Sequence, residues 1–315
     1  MSSSTNTEQN ETQSDLGYRG WERQLTPTWL AWWPIARTSM FLLFRRKLLW
    51  LLLAAGTLNF LFMFAVIYIY TAVLMRIQTP GFDRISDRIS EGILSGVSGD
   101  GDTFSNFIFR QGVICVLMLS FGGAVLVGSD HRQGGLIFYL SRRIGRFHYL
   151  FGKFLGIAAL VSMVTTIPAI VLYIQYGMMT LDETYFQDTY TTIFFGILIY
   201  GTLVSVTLSL LCLGLGSWMH RTVPLVMSWG MLFILMPMVS AALHRIFTPD
   251  FRHEKSAWLL LNLWRDLRII GEYFFNDLKD ADAPYLLPMV LIVFSVSKFS
   301  ALAAWWKLRV IRVVS

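Results

Sequence analysis

What this sequence lacks narrows its class before any motif is read. Charge is scarce: 15% of its 315 residues are charged while 55% are hydrophobic. A soluble domain needs more charge than that to cover its surface, and the mean hydropathy of +0.54 excludes one. Cysteine is scarcer still. Cys115 and Cys212 both fall inside apolar runs, which argues against a disulfide framework or a cysteine-based zinc site. They read as small buried apolar residues. Histidines 131, 148, 220, 244 and 253 lie outside the apolar runs and form no H-E-x-x-H pair, so an intramembrane metalloenzyme is not expected. No G-x-x-x-x-G-K-[ST] loop occurs, because Gly152-Lys153 is followed by Phe154. The chain is not expected to bind ATP by itself. No G-x-S-x-G elbow is present either, and Gly214-Leu215-Gly216-Ser217 reads as small residues for helix packing. With no catalytic constellation, no cofactor site and no metal site, an enzyme is not expected.

What is there is long uncharged sequence. Windows free of charge run over 48–75, 111–129, 154–181, 189–219 and 222–243. A helix needs about 20 apolar residues to cross the hydrocarbon core, and each window offers roughly that or more. A sixth window, 283–297, is interrupted by Lys298 and continues apolar to Trp306; a lysine near a span end can snorkel to the surface. Continuous apolarity, without a period of two, favours helices over a barrel. The prediction is an all-α integral membrane protein of six transmembrane helices, at about 48–75, 111–129, 154–177, 190–217, 222–243 and 285–306. No Asp or Glu lies in any of these windows, which disfavours an ion-coupled pump. Asn59 and the scattered Ser and Thr read as helix–helix hydrogen bonds.

The segments between the windows set the orientation. Residues 1–27 are polar and expected to be a disordered cytoplasmic tail without a signal peptide. Residues 28–47 mix Trp, Phe and Leu with Arg, which predicts an amphipathic segment along the cytoplasmic interface, bent at Pro34. The polar loop 130–153 carries Arg132, Arg142, Arg143, Arg146 and Lys153 against one acid, Asp130. With both termini and this loop inside, inner segments hold 15 Lys or Arg and 5 acids, and outer loops hold 10 and 15. Short basic loops are retained on the cytoplasmic side, so this places both termini there, with outer loops at 76–110, 178–189 and 244–284 and a basic tail at 307–315. The formal charge of +6 gathers beside the spans. It points to anionic membrane lipids as a partner, and away from nucleic acid.

Two outer loops carry features of their own. Residues Phe82, Ile85, Ile89 and Ile93 are at helical spacing, followed by a Gly-rich stretch in which Asp100 and Asp102 flank one glycine. No further ligand set accompanies those two acids, so a calcium site is not expected. In 257–275, Leu260, Leu261, Trp264, Leu267, Gly271 and Phe274 share a helical face, while Asn262, Arg265, Asp266 and Glu272 lie elsewhere. The pattern fits an amphipathic helix that rests on the outer leaflet or caps the bundle.

The polar loop also carries a resemblance. Asp130, Gly134, Leu136, Leu140, Ser141 and Arg142, followed by Arg146, Tyr149, Leu150, Gly152, Lys153 and Gly156, resemble the loop between the second and third spans of ABC-2 family permeases. The lead-in segment, the six-span layout and the long outer loop before the last span extend the resemblance over most of the chain. Two positions depart: Asp130 stands where the family has Glu, and Gly134-Gly135 where it has Gly-Thr. What the resemblance implies is a permease half, working as an exporter in the plasma (inner) membrane. The ATP and Mg would be bound by a separate ABC ATP-binding subunit. That subunit would dock on Asp130, Gly134, Leu136, Leu140, Arg142, Arg143, Arg146, Tyr149 and Lys153, and a second permease copy would complete the pathway. The departures at Asp130 and Gly135 keep a second reading open, a non-transporting membrane scaffold that retains the permease fold.

Overall fold

A computed structural model describes residues 30–71, 99–123, 126, 145–180, 189–219, 221–248 and 256–309. Within them the chain is all-helical. A short lead-in helix, α1 (Trp32–Phe44), turns into α2 (Lys47–Ile69); α3 (Gly101–Gly123) follows. Next come α4 (Arg146–Val164) and α5 (Thr166–Met179), joined end to end, and then α6 (Thr189–Trp218). The pair α7 (Thr222–Gly230) and α8 (Met236–Phe247) is also nearly continuous, and α9 (Leu263–Phe274) and α10 (Leu286–Arg309) complete the order. Six helical stretches are long and apolar enough to cross a membrane: Lys47–Ile69, Gly101–Gly123, Arg146–Met179, Thr191–Trp218, Thr222–Phe247 and Ala283–Leu308. The expectation of an all-α chain with six such helices agrees with this architecture.

The six are not equivalent. The second, third and fourth have 61%, 50% and 56% of their most apolar windows buried, while the first, fifth and sixth have 22%, 17% and 22%. The core therefore lies among α3, α4–α5 and α6, and the other spans flank it. Helices that are apolar all round cannot choose a buried face by polarity, so small residues and polar side chains decide. Gln111 on α3 donates from Nε2 to the Gly56 carbonyl on α2 at 3.0 Å, and Gln175 on α5 donates to the Phe64 carbonyl at 2.9 Å. The Ser162 and Ser205 hydroxyls join α4 to α6 at 2.9 Å. Asn59 does not join this set: its Nδ2 is buried without a hydrogen-bond partner.

Prolines account for the irregularities. Pro168 has no N–H to give the Val164 carbonyl, and its ring crowds that group, so α4 and α5 part at Thr165, where φ is −102° and ψ is −65°. Pro237 likewise cannot bond to Phe233, and the preceding turn, Met231–Leu235, widens into a π-helix. Pro34 falls in the first turn of α1, where a missing N–H is no loss, and the helix continues through it without a break. The second span starts at Gly101, ten residues ahead of its uncharged window, with Asp102 and Arg110 at exposed positions. A helix tolerates surface charge at its ends, so an uncharged window is shorter than the helix that contains it. The tail before residue 28, the apolar-periodic stretch at 82–93 and most of the 178–189 loop lie outside the described residues.

Candidate functional site

The polar loop is seen through its anchor points. Asp130, Gly134, Leu136, Leu140, Arg142 and Arg143 lie outside the described residues. Arg146, Tyr149 and Lys153 sit on the first turns of α4, which starts after Gly145 in extended conformation (φ −71°, ψ 159°). Arg146 is half-buried, whereas Tyr149 and Lys153 are buried. The Lys153 ammonium donates to the Leu126 carbonyl at 2.6 Å and lies 5.8 Å from the centre of the Tyr149 ring. Leu126 follows α3, so one charged hydrogen bond ties together the two ends of the segment 127–144. A bond from a charged donor contributes about 1.5–3 kcal/mol. Tyr149 and Lys153 thus look inward, and their part here is to position the segment.

The same turns hold α1. A side chain at Gly152 would put Cβ 2.7 Å from the Trp32 carbonyl oxygen, and one at Gly156 would put it 2.9 Å from the Ala36 oxygen. The two glycines, four apart on one helical face, let the α1 backbone rest directly on α4. Trp32 meets Phe151 edge-on at 5.8 Å, and Phe147, Phe151 and Phe154 stack along the neighbouring face.

At the opposite end of the bundle, α9 fits between α3, α6 and α10. Of the two placements the sequence allows, capping the bundle is the one found: Leu263, Asp266, Leu267, Ile269, Ile270, Gly271 and Glu272 are all buried. Trp264 packs on Gly112 of α3, and Gly271 on Tyr200 of α6. Asn262 caps the helix by accepting from the Arg265 backbone N–H at 3.1 Å. Arg265 pairs with Asp282 at 2.6 Å. Arg268 pairs with Glu272 at 2.9 Å, reaches Asn106 on α3 at 2.9 Å and lies over the Phe109 ring. Asp266 has no exposed surface, and neither carboxylate oxygen has a hydrogen-bond partner. Burial pushes its pKa up to about 7, against a smaller lowering by Arg265.

Beyond α9 the chain brings Asp277 to the start of α3, where it is hydrogen-bonded to Asp102 and also feels Asp100. Burial first, then these two acids, raise the Asp277 pKa, and Lys279 partly offsets them. The cluster borders an open cavity of about 780 Å³. Among the described residues no group of three or more His, Cys, Asp or Glu is placed to hold a metal ion.

A second cavity, about 250 Å³, opens between α3 and the π-turn of the fifth span. Val116, Ser120, Trp229, Phe233 and Trp264 form its wall. Trp229 stacks on Phe233 at 5.2 Å, and Phe233 meets Trp264 edge-on at 5.8 Å. No charged side chain lines it, so its chemistry suits an apolar or aromatic group.

Sequence reading singled out Arg146, Tyr149 and Lys153 but not the bond from Lys153 to Leu126, nor the meeting of Asp277 with Asp102. A helix-period pattern marks faces within one segment and carries no signal for residues 175 positions apart. Compared with known proteins, the chain matches no family model and no curated protein.

Proposed function

We propose that this chain is the membrane-spanning subunit of an ABC-2-type transporter, an exporter powered by a separate ATP-binding subunit that holds ATP and Mg. In this reading the protein sits in the plasma (inner) membrane with both termini in the cytoplasm, α1 lies at the cytoplasmic interface, and two copies form the pathway. The observation that carries it is the anchored loop. Lys153 fixes the loop's far end to Leu126, and Gly152 and Gly156 fix the same turns to α1. A partner pressing on residues 130–146 would therefore move α3, α4 and α1 together, as a coupling loop requires. Arg142, Arg143 and Arg146 supply positive charge for an acidic rim on that partner. The aromatic cavity beside the fifth span is the described site best suited to lipophilic cargo.

The test is affinity purification in mild detergent of the wild-type chain and of an Arg143→Glu, Arg146→Glu variant, followed by mass spectrometry. A P-loop ATPase recovered with wild type and lost with the variant is the expected result. Equal recovery with both would move docking away from these arginines. A well-folded chain that recovers no ATPase would leave the scaffold reading in its place.

A further inference from the structure

Between α1 and the third span lies an apolar cleft of about 420 Å³ that plays no part in the proposal above. Where Gly152 and Gly156 face α1, the two backbones touch and no space remains. Alongside that contact, Leu155 and Ala159 of α4 form one wall of the cleft. Along α1, Trp33, Arg37, Met40 and Phe44 recur at helical spacing and form the other wall. Trp33 is 54% exposed and Phe41 62% exposed, so the cleft is open along its side.

Arg37 is the single charged residue in that lining. Arg45 adds a second guanidinium, 5.4 Å from the centre of the Phe41 ring at the cleft wall. Neither has an ion-pair partner among the described residues, and Arg46 and Lys47 follow, also exposed. Over residues 30–71 and 145–180, which contain the whole cleft, there is no Asp or Glu at all. An apolar slot with a guanidinium along it, and no acid beside it among the described residues, matches an amphiphile that has hydrocarbon on one side and an anion on the other. The outer wall of the cleft continues into the exposed apolar face of α4, where Phe147 and Met163 are 62% and 48% exposed.

We infer that this cleft is a binding site for one anionic phospholipid, with an acyl chain on Leu155 and Ala159 and the headgroup phosphate on Arg37. The occupant is drawn from the surrounding bilayer, and the site is independent of whether the chain is a transporter subunit. Diffuse attraction of basic residues to a membrane surface would not depend on Ala159; a seated lipid does.

Native mass spectrometry tests this on the full chain, delipidated in detergent and supplied with phosphatidylglycerol or phosphatidylcholine of matched chains. The wild type is expected to retain a first phosphatidylglycerol over phosphatidylcholine by about tenfold, as one charge-assisted contact beside further basic residues implies. Arg37→Gln, an exposed position, should reduce that preference to about twofold while thermal unfolding stays unchanged. Ala159→Trp, which fills the cleft, should abolish retention of the first lipid of either kind. Equal retention of both lipids by the wild type would overturn the site. So would an unchanged preference in Arg37→Gln, or an unchanged first lipid in Ala159→Trp when its unfolding temperature matches wild type. Displacement by millimolar inorganic phosphate would also overturn it, since that would mark an ion site without an acyl chain.

Discussion

Asp266 is held with no exposed surface and with both oxygens unpartnered, although Arg265 is its chain neighbour. That arginine is committed to Asp282. With its pKa pushed up to about 7 from 3.8, the acid is neutral at mildly acidic pH and charged above it. The folded chain then binds this proton more tightly than the unfolded chain does. The resulting stability is fully present below about pH 4 and is lost as pH rises through about 7. Unfolding temperature in detergent should therefore fall from pH 5.5 to pH 8. Asp266→Asn, neutral at every pH, should raise the pH 8 value and flatten the slope. Lys153 makes the opposite case, a buried charge with its partner in place. Lys153→Met leaves the Leu126 carbonyl without its donor and should cost about 2 kcal/mol, read from thermal unfolding. Neither environment was legible in the residue itself. The sequence marks Lys153 as basic beside a span and Asp266 as off the apolar face, but burial is decided by what packs against them from elsewhere.

Among the elements, the apolar runs announced the helices well, because a span must satisfy its backbone internally and has little choice of conformation. Their ends were less visible, as α3 shows by beginning at Gly101 ahead of Arg110. The lead-in helix was legible as a mixture of Trp, Phe and Arg, but its seat on α4 was not; that depends on Gly152 and Gly156 meeting the backbone of α1. Gly156→Leu must push the Ala36 carbonyl away and should destabilise by about 1–3 kcal/mol. Gly230 provides the contrast, since a Cβ there meets nothing within 4 Å. Gly230→Ala should fold as wild type or gain up to about 1 kcal/mol from helix propensity. Thermal unfolding of the two variants side by side checks both expectations.

Over the whole molecule, the outward spans carry the remaining information. The fifth is the least buried, at 17%, and its exposed surface includes Met227, Met231 and Met238, flexible side chains suited to packing against a second surface. If two copies meet there, single cysteines at Met231 or Met238 should cross-link into dimers in native membranes, and one at Leu58 on α2 should not. The native chain serves as background, because Cys115 and Cys212 are both buried. Six spans were readable from composition; which of them form the centre was not, since the three more buried spans include both the least and the most apolar of the six.

The divided third span has a mechanical consequence. Its lower part, α4, shares a backbone contact with α1 and a bond with Leu126, beyond α3. Its upper part, α5, is tethered to α2 through Gln175 and Phe64. Between them stands Thr165, at the place where Pro168 removes a hydrogen bond. Any load carried along α4 would meet the missing hydrogen bond there. One proline thus divides the span into two parts that are anchored to different neighbours.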